Sequence, residues 1–290
     1  MNTQTKMLIA DLFLIFIAFL RGSTFLVIKE LLSVFNPFYI VGIRFLVAGV
    51  LLAVLFFKTS KRVTSEELKC GSIIGIFLFL AFSTQTIGLK YTLASKQAFL
   101  TSVYVLIIPF ILFAKYHLKI KKETLISVLF ALGGVGLICL DPSTNFTINL
   151  GDGLTLICAF FFACHIIAIS KIPASMKIIN IVTIQMIFTG LASLLVAYAV
   201  ADTFNIMSLY ELKYHFLYLT IICTLINFLI QNIAQKFTTP THVGVLLCLE
   251  AVFGGGLSVI VLHEEFTLKM ILGSILLVLT IIVTELRKNS

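Results

Sequence analysis

The chain has 290 residues, 60% of them hydrophobic and 12% charged, and a formal net charge of +8. A soluble domain carries about 45–50% apolar and about 25% charged residues, so a soluble globular protein is excluded. A bilayer accounts for the excess, because lipid-facing positions must be apolar as well as packed ones.

Apolar blocks of about 20 residues, enough to cross ~30 Å of hydrocarbon at 1.5 Å per residue, predict ten membrane helices. They are 7–28, 37–57, 70–89, 95–114, 124–141, 151–170, 178–200, 214–234, 241–262 and 267–286. None alternates polar and apolar residues as a porin strand would. The first block follows Lys6 but runs into Arg21-Gly22 instead of a small-x-small cleavage site, so it reads as a membrane helix and not a signal peptide. A charge at the bilayer centre costs at least about 2.5–3.5 kcal/mol, so Arg21 implies either a cavity in which its two-pronged head binds a carboxylate or phosphate, or a structural ion pair. In the second block Arg44 lies seven residues after Pro37 and reads as a structural anchor.

Thr64-Ser65-Glu66-Glu67 offers an N-cap for the third helix, which Ser83, Thr84 and Gln85 interrupt with polar groups. Thr101 and Tyr104 share a face of the fourth. Asp141-Pro142-Ser143-Thr144-Asn145 reads as a turn that divides the chain nearly in half. In the sixth helix His165 shares a face with Cys158 and Phe161; it is a candidate proton carrier or a packing residue. Phe160, Phe161 and Phe162 cannot all face one cavity, since consecutive helical residues point 100° apart. Asn227 and Gln231 share a face of the eighth helix. Glu250, the one acid deep within a span, is a candidate for proton coupling or cation binding, or a protonated packing residue. Gly71-x-x-x-Gly75, Gly133-Gly134-x-Gly136 and Gly254-Gly255-Gly256 suit close helix packing. The six cysteines form no CxxC pair, which argues against both disulfides and a zinc site.

With an even number of spans and a cytoplasmic start, Lys58, Lys61, Arg62 and Lys69, Lys115, Lys119, Lys121 and Lys122, and most other basic residues fall on inward connections. The positive-inside rule then places both termini in the cytoplasm, and the basic surplus is a topology signal instead of a nucleic-acid patch.

The halves resemble each other. At an offset of 141, Asp11 meets Asp152, Ala18-Phe19 meets Ala159-Phe160, Ile40-Val41 meets Ile181-Val182 and Gly49 meets Gly190; at 146, Lys90-Tyr91-Thr92 meets Lys236-Phe237-Thr238 and His117 meets His263. Two five-helix units, 1–145 and 146–290, are expected. Because five is odd, the second enters from the opposite side, giving an all-α membrane protein of two inverted repeats with a site near the midplane between them.

Several segments resemble the drug/metabolite transporter superfamily, specifically its EamA-type ten-helix members. Ala18-Phe19-Leu20-Arg21-Gly22-Ser23-Thr24 is similar to that family's opening, Pro37 and Arg44 to its second helix, and Gly88-Leu89-Lys90-Tyr91-Thr92 with Pro109 to its inter-helix signature; Ala234-Gln235-Lys236-Phe237-Thr238 with Glu250 is the second-half counterpart. Arg21 stands where the family usually has tryptophan, and Ala251 where it usually has proline after the ninth-helix glutamate. The resemblance implies a secondary transporter, usually an exporter of amino acids or other metabolites, with no cofactor and no metal. The candidate substrate-binding set is Arg21, Thr24, Gln85, Thr101, Tyr104, His165, Asn227, Gln231 and Glu250, with Glu250 and His165 the candidates for proton coupling.

The competing readings are a passive channel and an intramembrane enzyme. Serine-protease GxSxG, zinc-protease HExxH and ATP-binding GxxxxGK[ST] motifs are absent; His263-Glu264-Glu265 lacks the second histidine. The expected partners are therefore a small-molecule substrate, the lipid bilayer and a proton.

Overall fold

The computed structural model describes residues 3–57, 63–117, 149–200, 204–265 and 267–286, with five isolated positions between 126 and 137. The regular elements among them are all helical: α1 (Thr3–Leu31), α2 (Pro37–Leu55), α3 (Ser65–Lys90), α4 (Ala94–Thr101), α5 (Tyr104–Tyr116), α6 (Leu150–Ser170), α7 (Ile178–Val200), α8 (Ile206–Glu211) and α9 (Lys213–Leu217). A π-helix (Tyr218–Ile226) joins α9 to α10 (Asn227–Ala234), and α11 (Pro240–Leu247), α12 (Leu249–Leu262) and α13 (Leu268–Leu286) complete the order. Eight segments of the described residues are long and apolar enough to cross a bilayer: 5–31, 37–55, 65–90, 94–116, 150–170, 178–200, 213–237 and 240–262. In hydrocarbon each backbone donor and acceptor must be satisfied within its own segment, which is why the apolar blocks are helices. The expected fifth span, 124–141, and the turn at 141–145 lie almost wholly outside the described residues.

Helix starts follow local chemistry. Asn36 accepts from the Phe38 amide and Pro37 takes the first helical position of α2, where a missing N–H costs nothing. Thr64 and Glu67 form a reciprocal capping box, so α3 begins at Ser65, five residues ahead of the apolar block that predicted it. The fourth and ninth spans, expected as continuous helices, are each tightened in the middle. Ser102 and Val103 donate to the carbonyls three residues back between α4 and α5, and Cys248 bonds to both Gly244 and Val245 between α11 and α12. The π-turn within the eighth span, where Thr224 Oγ1 donates to the Leu219 carbonyl at 2.7 Å, has no warning in the apolar pattern.

The packing is twofold. Exchanging α1, α2, α3, α4 and α5 for α6, α7, the α9–α10 span, α11 and α12 maps each main interface onto another. Helix α2 packs on α7; α3 on α6 as α1 on α10; α3 on α7 as α2 on the π-helix; α1 on α12 as α5 on α6; α4 on α12 as α5 on α11. The direction is inverted: α6 starts beside the ends of α1 and α3, where Thr92 Oγ1 donates to Asp152 at 2.8 Å and Lys29 Nζ to the Leu89 and Thr92 carbonyls at 2.9 and 2.7 Å. Even the backbone matches, since His117 and His263, 146 apart, end α5 and α12 in the left-handed region at φ 55° and 52°.

Glycines set the closest approaches. A Cβ on Gly190 would overlap the Leu46 backbone, and one on its relative Gly49 would lie 2.7 Å from Ile187. Gly190→Ala is expected to separate α2 from α7 and destabilise the protein by about 1–3 kcal/mol. At Gly153, where a Cβ would meet nothing within 4 Å, alanine is expected to be neutral or stabilising. Thermal unfolding in detergent checks both: a lowered Tm for the first variant only.

Candidate functional site

Deep in the bundle, α1 and α12 face each other across a close contact at Gly22, whose Cβ would sit 2.7 Å from the Gly254 amide. That proximity brings Arg21 to Glu250. Arg21 Nε lies 2.7 Å from Glu250 Oε2, with the two side chains 10% and 2% exposed. Arg21 Nη1 also donates to Gln231 Oε1 at 3.4 Å, and its guanidinium carbon sits 5.1 Å from the centre of the Phe162 ring. Glu250 occupies the first turn of α12, just past the tightened turn, where the helix dipole favours a carboxylate.

The pair borders a pocket lined also by Thr24, Phe82, Gln85, Asn227 and Phe228. Gln85 Nε2 donates to Thr101 Oγ1 at 3.4 Å, and Asn227 Nδ2 to the Ile17 carbonyl at 3.2 Å. Several buried polar atoms around it have no hydrogen-bond partner: Glu250 Oε1, Gln231 Nε2, Asn227 Oδ1 and the Tyr104 hydroxyl. An unmade bond on a buried polar group costs about 1–3 kcal/mol, and these four unsatisfied groups mark the surroundings of the ion pair as the candidate site.

Of the sequence-predicted residues, Arg21, Thr24, Gln85, Asn227 and Glu250 line this pocket, Gln231 and Thr101 bond to members of it, and Tyr104 is fully buried with its ring 6.3 Å from Phe162. His165 stands apart: its Nε2 lies 3.0 Å from Gln185 Oε1 on α7, and its ring meets Phe228 edge-on at 5.9 Å. Of the three consecutive phenylalanines, only Phe162 is buried, while Phe160 is exposed. Arg44 lies over the Phe45 and Phe82 rings at 4.9 and 4.5 Å, with Nε and Nη2 unbonded, so cation–π contact anchors it. The five described cysteines are free.

Sequence reasoning missed the aromatic frame of Phe82, Phe162 and Phe228, and Gln185 as the partner of His165. The repeat offsets carry the signal: Phe82 and Phe228 are 146 apart, as are Gln85 and Gln231.

A bundle of paired, inverted membrane helices around a buried polar centre defines a multi-pass membrane protein. The model of the EamA-like transporter family matches the chain twice, over residues 8–140 and 149–286, and the chain belongs to that family. A protein of Archaeoglobus fulgidus described as an uncharacterized transporter is 33% identical over 97% of this chain and 87% of its own length. A second uncharacterized transporter from the same organism is 25% identical over the full length of both. The uncharacterized transporter YetK of Bacillus subtilis matches at 33% over 39% of this chain and 36% of its own. Among solved structures, a crystal structure 18% identical superposes with a TM-score of 0.72 over 96% of each chain, which shows the shared fold.

Removing one partner from a buried ion pair strands the other charge and costs about 3–5 kcal/mol, whereas replacing both with neutral groups of similar volume is often harmless. Arg21→Met alone is therefore expected to lower the Tm sharply, and Arg21→Met with Glu250→Gln to recover most of the loss. If the double variant melts below both single ones, the pair is not the unit of stability at this site.

Proposed function

We propose that the protein is a secondary transporter that moves an amino acid or small organic anion across the cytoplasmic membrane by alternating access, as an exporter, with both termini in the cytoplasm. The Arg21–Glu250 pair at the junction of the two units carries this reading. A carboxylate entering the pocket competes with Glu250 for Arg21, for which it offers the same two-oxygen geometry. The displaced Glu250 then needs a new partner. A zwitterion supplies one in its ammonium group, so an amino acid replaces each half of the pair and leaves the net charge of the centre unchanged. A simple organic anion supplies none, and Glu250 takes a proton instead, which couples binding to protonation. His165, tied to Gln185 on the far side of Phe228, is the second candidate for carrying a proton. The inverted repeat supports alternation, since two related units allow two packings of similar energy, each open to one face.

Counterflow in liposomes tests the class of function. With unlabelled substrate on the opposite side, a carrier accelerates exchange of labelled substrate; a channel does not, and an enzyme returns a chemically altered solute. For an organic anion, Glu250→Gln is expected to abolish the dependence of net transport on an imposed pH gradient while sparing exchange, and unchanged gradient dependence removes Glu250 from the coupling role. For an amino acid, whose ammonium group Glu250 binds, the same variant is expected to weaken exchange itself. Arg21→Ala is expected to weaken carboxylated substrates about tenfold or more, the scale of a lost charged hydrogen bond, with far less effect on neutral analogues. Equal losses for both would assign Arg21 a structural role.

A further inference from the structure

We infer that Lys96–Asp152 and Asp11–His242 are paired gate latches, related by the internal twofold, that close opposite faces of the protein and open in alternation; the inference rests on the carrier reading above. The two acids are 141 apart and the two bases 146 apart, so each pair is the counterpart of the other under the offsets that relate the repeats. The structure makes both pairs, at opposite ends of the bundle. Lys96 Nζ lies 2.6 Å from Asp152 Oδ2, where α1 and α3 end and α6 begins. His242 Nε2 lies 3.1 Å from Asp11 Oδ1, near the start of α1.

Their placement suits a gate. Lys96 is in the first turn of α4 and His242 in the first turn of α11, half-helices of eight residues each and so about 12 Å long. Each half-helix has its latch at one end and, at the other, the tightened turn beside the central pocket: Ser102–Val103 next to Tyr104, Cys248 next to Glu250. Breaking a latch frees the outer end of a short lever whose inner end is a hinge at the site. The levers pack through small residues, Ala98 against Gly254 and Gly244 against Ile108, again twofold-related contacts that tolerate sliding. With both latches made, Arg21 and Glu250 are 9% and 1% exposed.

The latches are unequal. Asp152 is fully buried and also accepts from Thr92, Lys29 ties the Thr92 carbonyl to α1, and Glu264 accepts from the Ala94 and Ser95 amides at 2.9 and 3.0 Å. At the other face the counterpart of Lys29 is Ser170, which brings no charge. Asp11 and His242 are 26% and 22% exposed. As the more exposed ion pair, Asp11–His242 is the weaker latch, which suits a carrier that loads from the face on which α1 begins.

The test uses the full-length protein with Cys223, which lines the pocket, as its one remaining cysteine. Labelling by a membrane-impermeant maleimide is compared from the two faces in right-side-out and inverted vesicles. Asp152→Asn is expected to raise labelling from the face where α1 ends by about tenfold. Asp11→Asn should raise it from the opposite face by a smaller factor, and the double variant should return the ratio toward the parent's. A single variant that loses its monodisperse size-exclusion profile is replaced by Lys96→Gln or His242→Gln, read the same way. Both single variants raising labelling from one face, or folded variants leaving the ratio unchanged, would overturn the latches. Counterflow on the parent separates the two ideas. Opposite shifts without counterflow keep the latches and remove the carrier; counterflow without shifts does the reverse.

Discussion

The centre of this molecule depends on one contact, a guanidinium and a carboxylate 2.7 Å apart where water does not screen them. Neither charge is tolerable there alone. Desolvation of each costs several kcal/mol, and only the short, hydrogen-bonded pairing offsets it. The pair also spans the two halves of the chain, Arg21 from the first unit and Glu250 from the second, so the interaction that neutralises the centre also joins the repeats. The frame around it serves the same end. The Phe162 ring under Arg21 and the Gln231 Oε1 beside it engage parts of the guanidinium other than the Nε bound to the carboxylate.

Around that contact, the proposed function needs a structure that can pass between two arrangements without losing its helices. The interfaces are built for it. Gly49 against Ile187 and Gly190 against Leu46 let α2 and α7 approach closely, and a latch-like ion pair lies toward each end of the bundle. Glu67, buried at the start of α3, accepts from the Lys177 amide at 2.8 Å and from Asn180 Nδ2 at 2.7 Å, fixing the start of α7. It is a structural tie whose carboxylate is satisfied several times over, unlike Glu250, which keeps one oxygen unbonded.

Much of this was legible in the sequence because the bilayer leaves few options. Block length anticipated the eight spans seen among the described residues, and the offsets 141 and 146 anticipated the inverted repeat, whose correspondences extend to His117 and His263 and to the half-helices α4 and α11. Arg21 and Glu250 stood out as charges at membrane depth. That they hold each other did not, because a charge on one span says nothing about which of the other spans it faces. Asp11 and Asp152 were matched as repeats, yet their bases were not: His242 and Lys96 share an offset but not a residue type, and a search for identity passes over them. The turns at Ser102 and Cys248 were invisible for a different reason. Tightening a helix by one hydrogen bond changes neither its apolar content nor its length enough to register in a 20-residue window.

The pattern of symmetry kept and symmetry lost follows from electrostatics on the twofold axis. Packing positions keep their identity between repeats, as Phe82 and Phe228, Gln85 and Gln231, and Gly49 and Gly190 do. Charged positions at the centre do not, although Asp11 and Asp152 near the ends do: Arg21 corresponds to Phe162, Glu250 to Tyr104 and Arg44 to Gln185. A residue near the axis meets its own counterpart, as Cys248 does when its thiol approaches the Ser102 carbonyl at 3.3 Å. Were position 162 also arginine, two guanidinium groups would meet across the 5.1 Å that now separates Arg21 from the Phe162 ring. In a medium of low dielectric that repulsion amounts to several kcal/mol, whereas a cation over an aromatic face is attractive. A duplicated unit can therefore place a cation at the centre of the molecule only by giving it to one copy, and the chemistry of the pocket has one charged side as a consequence.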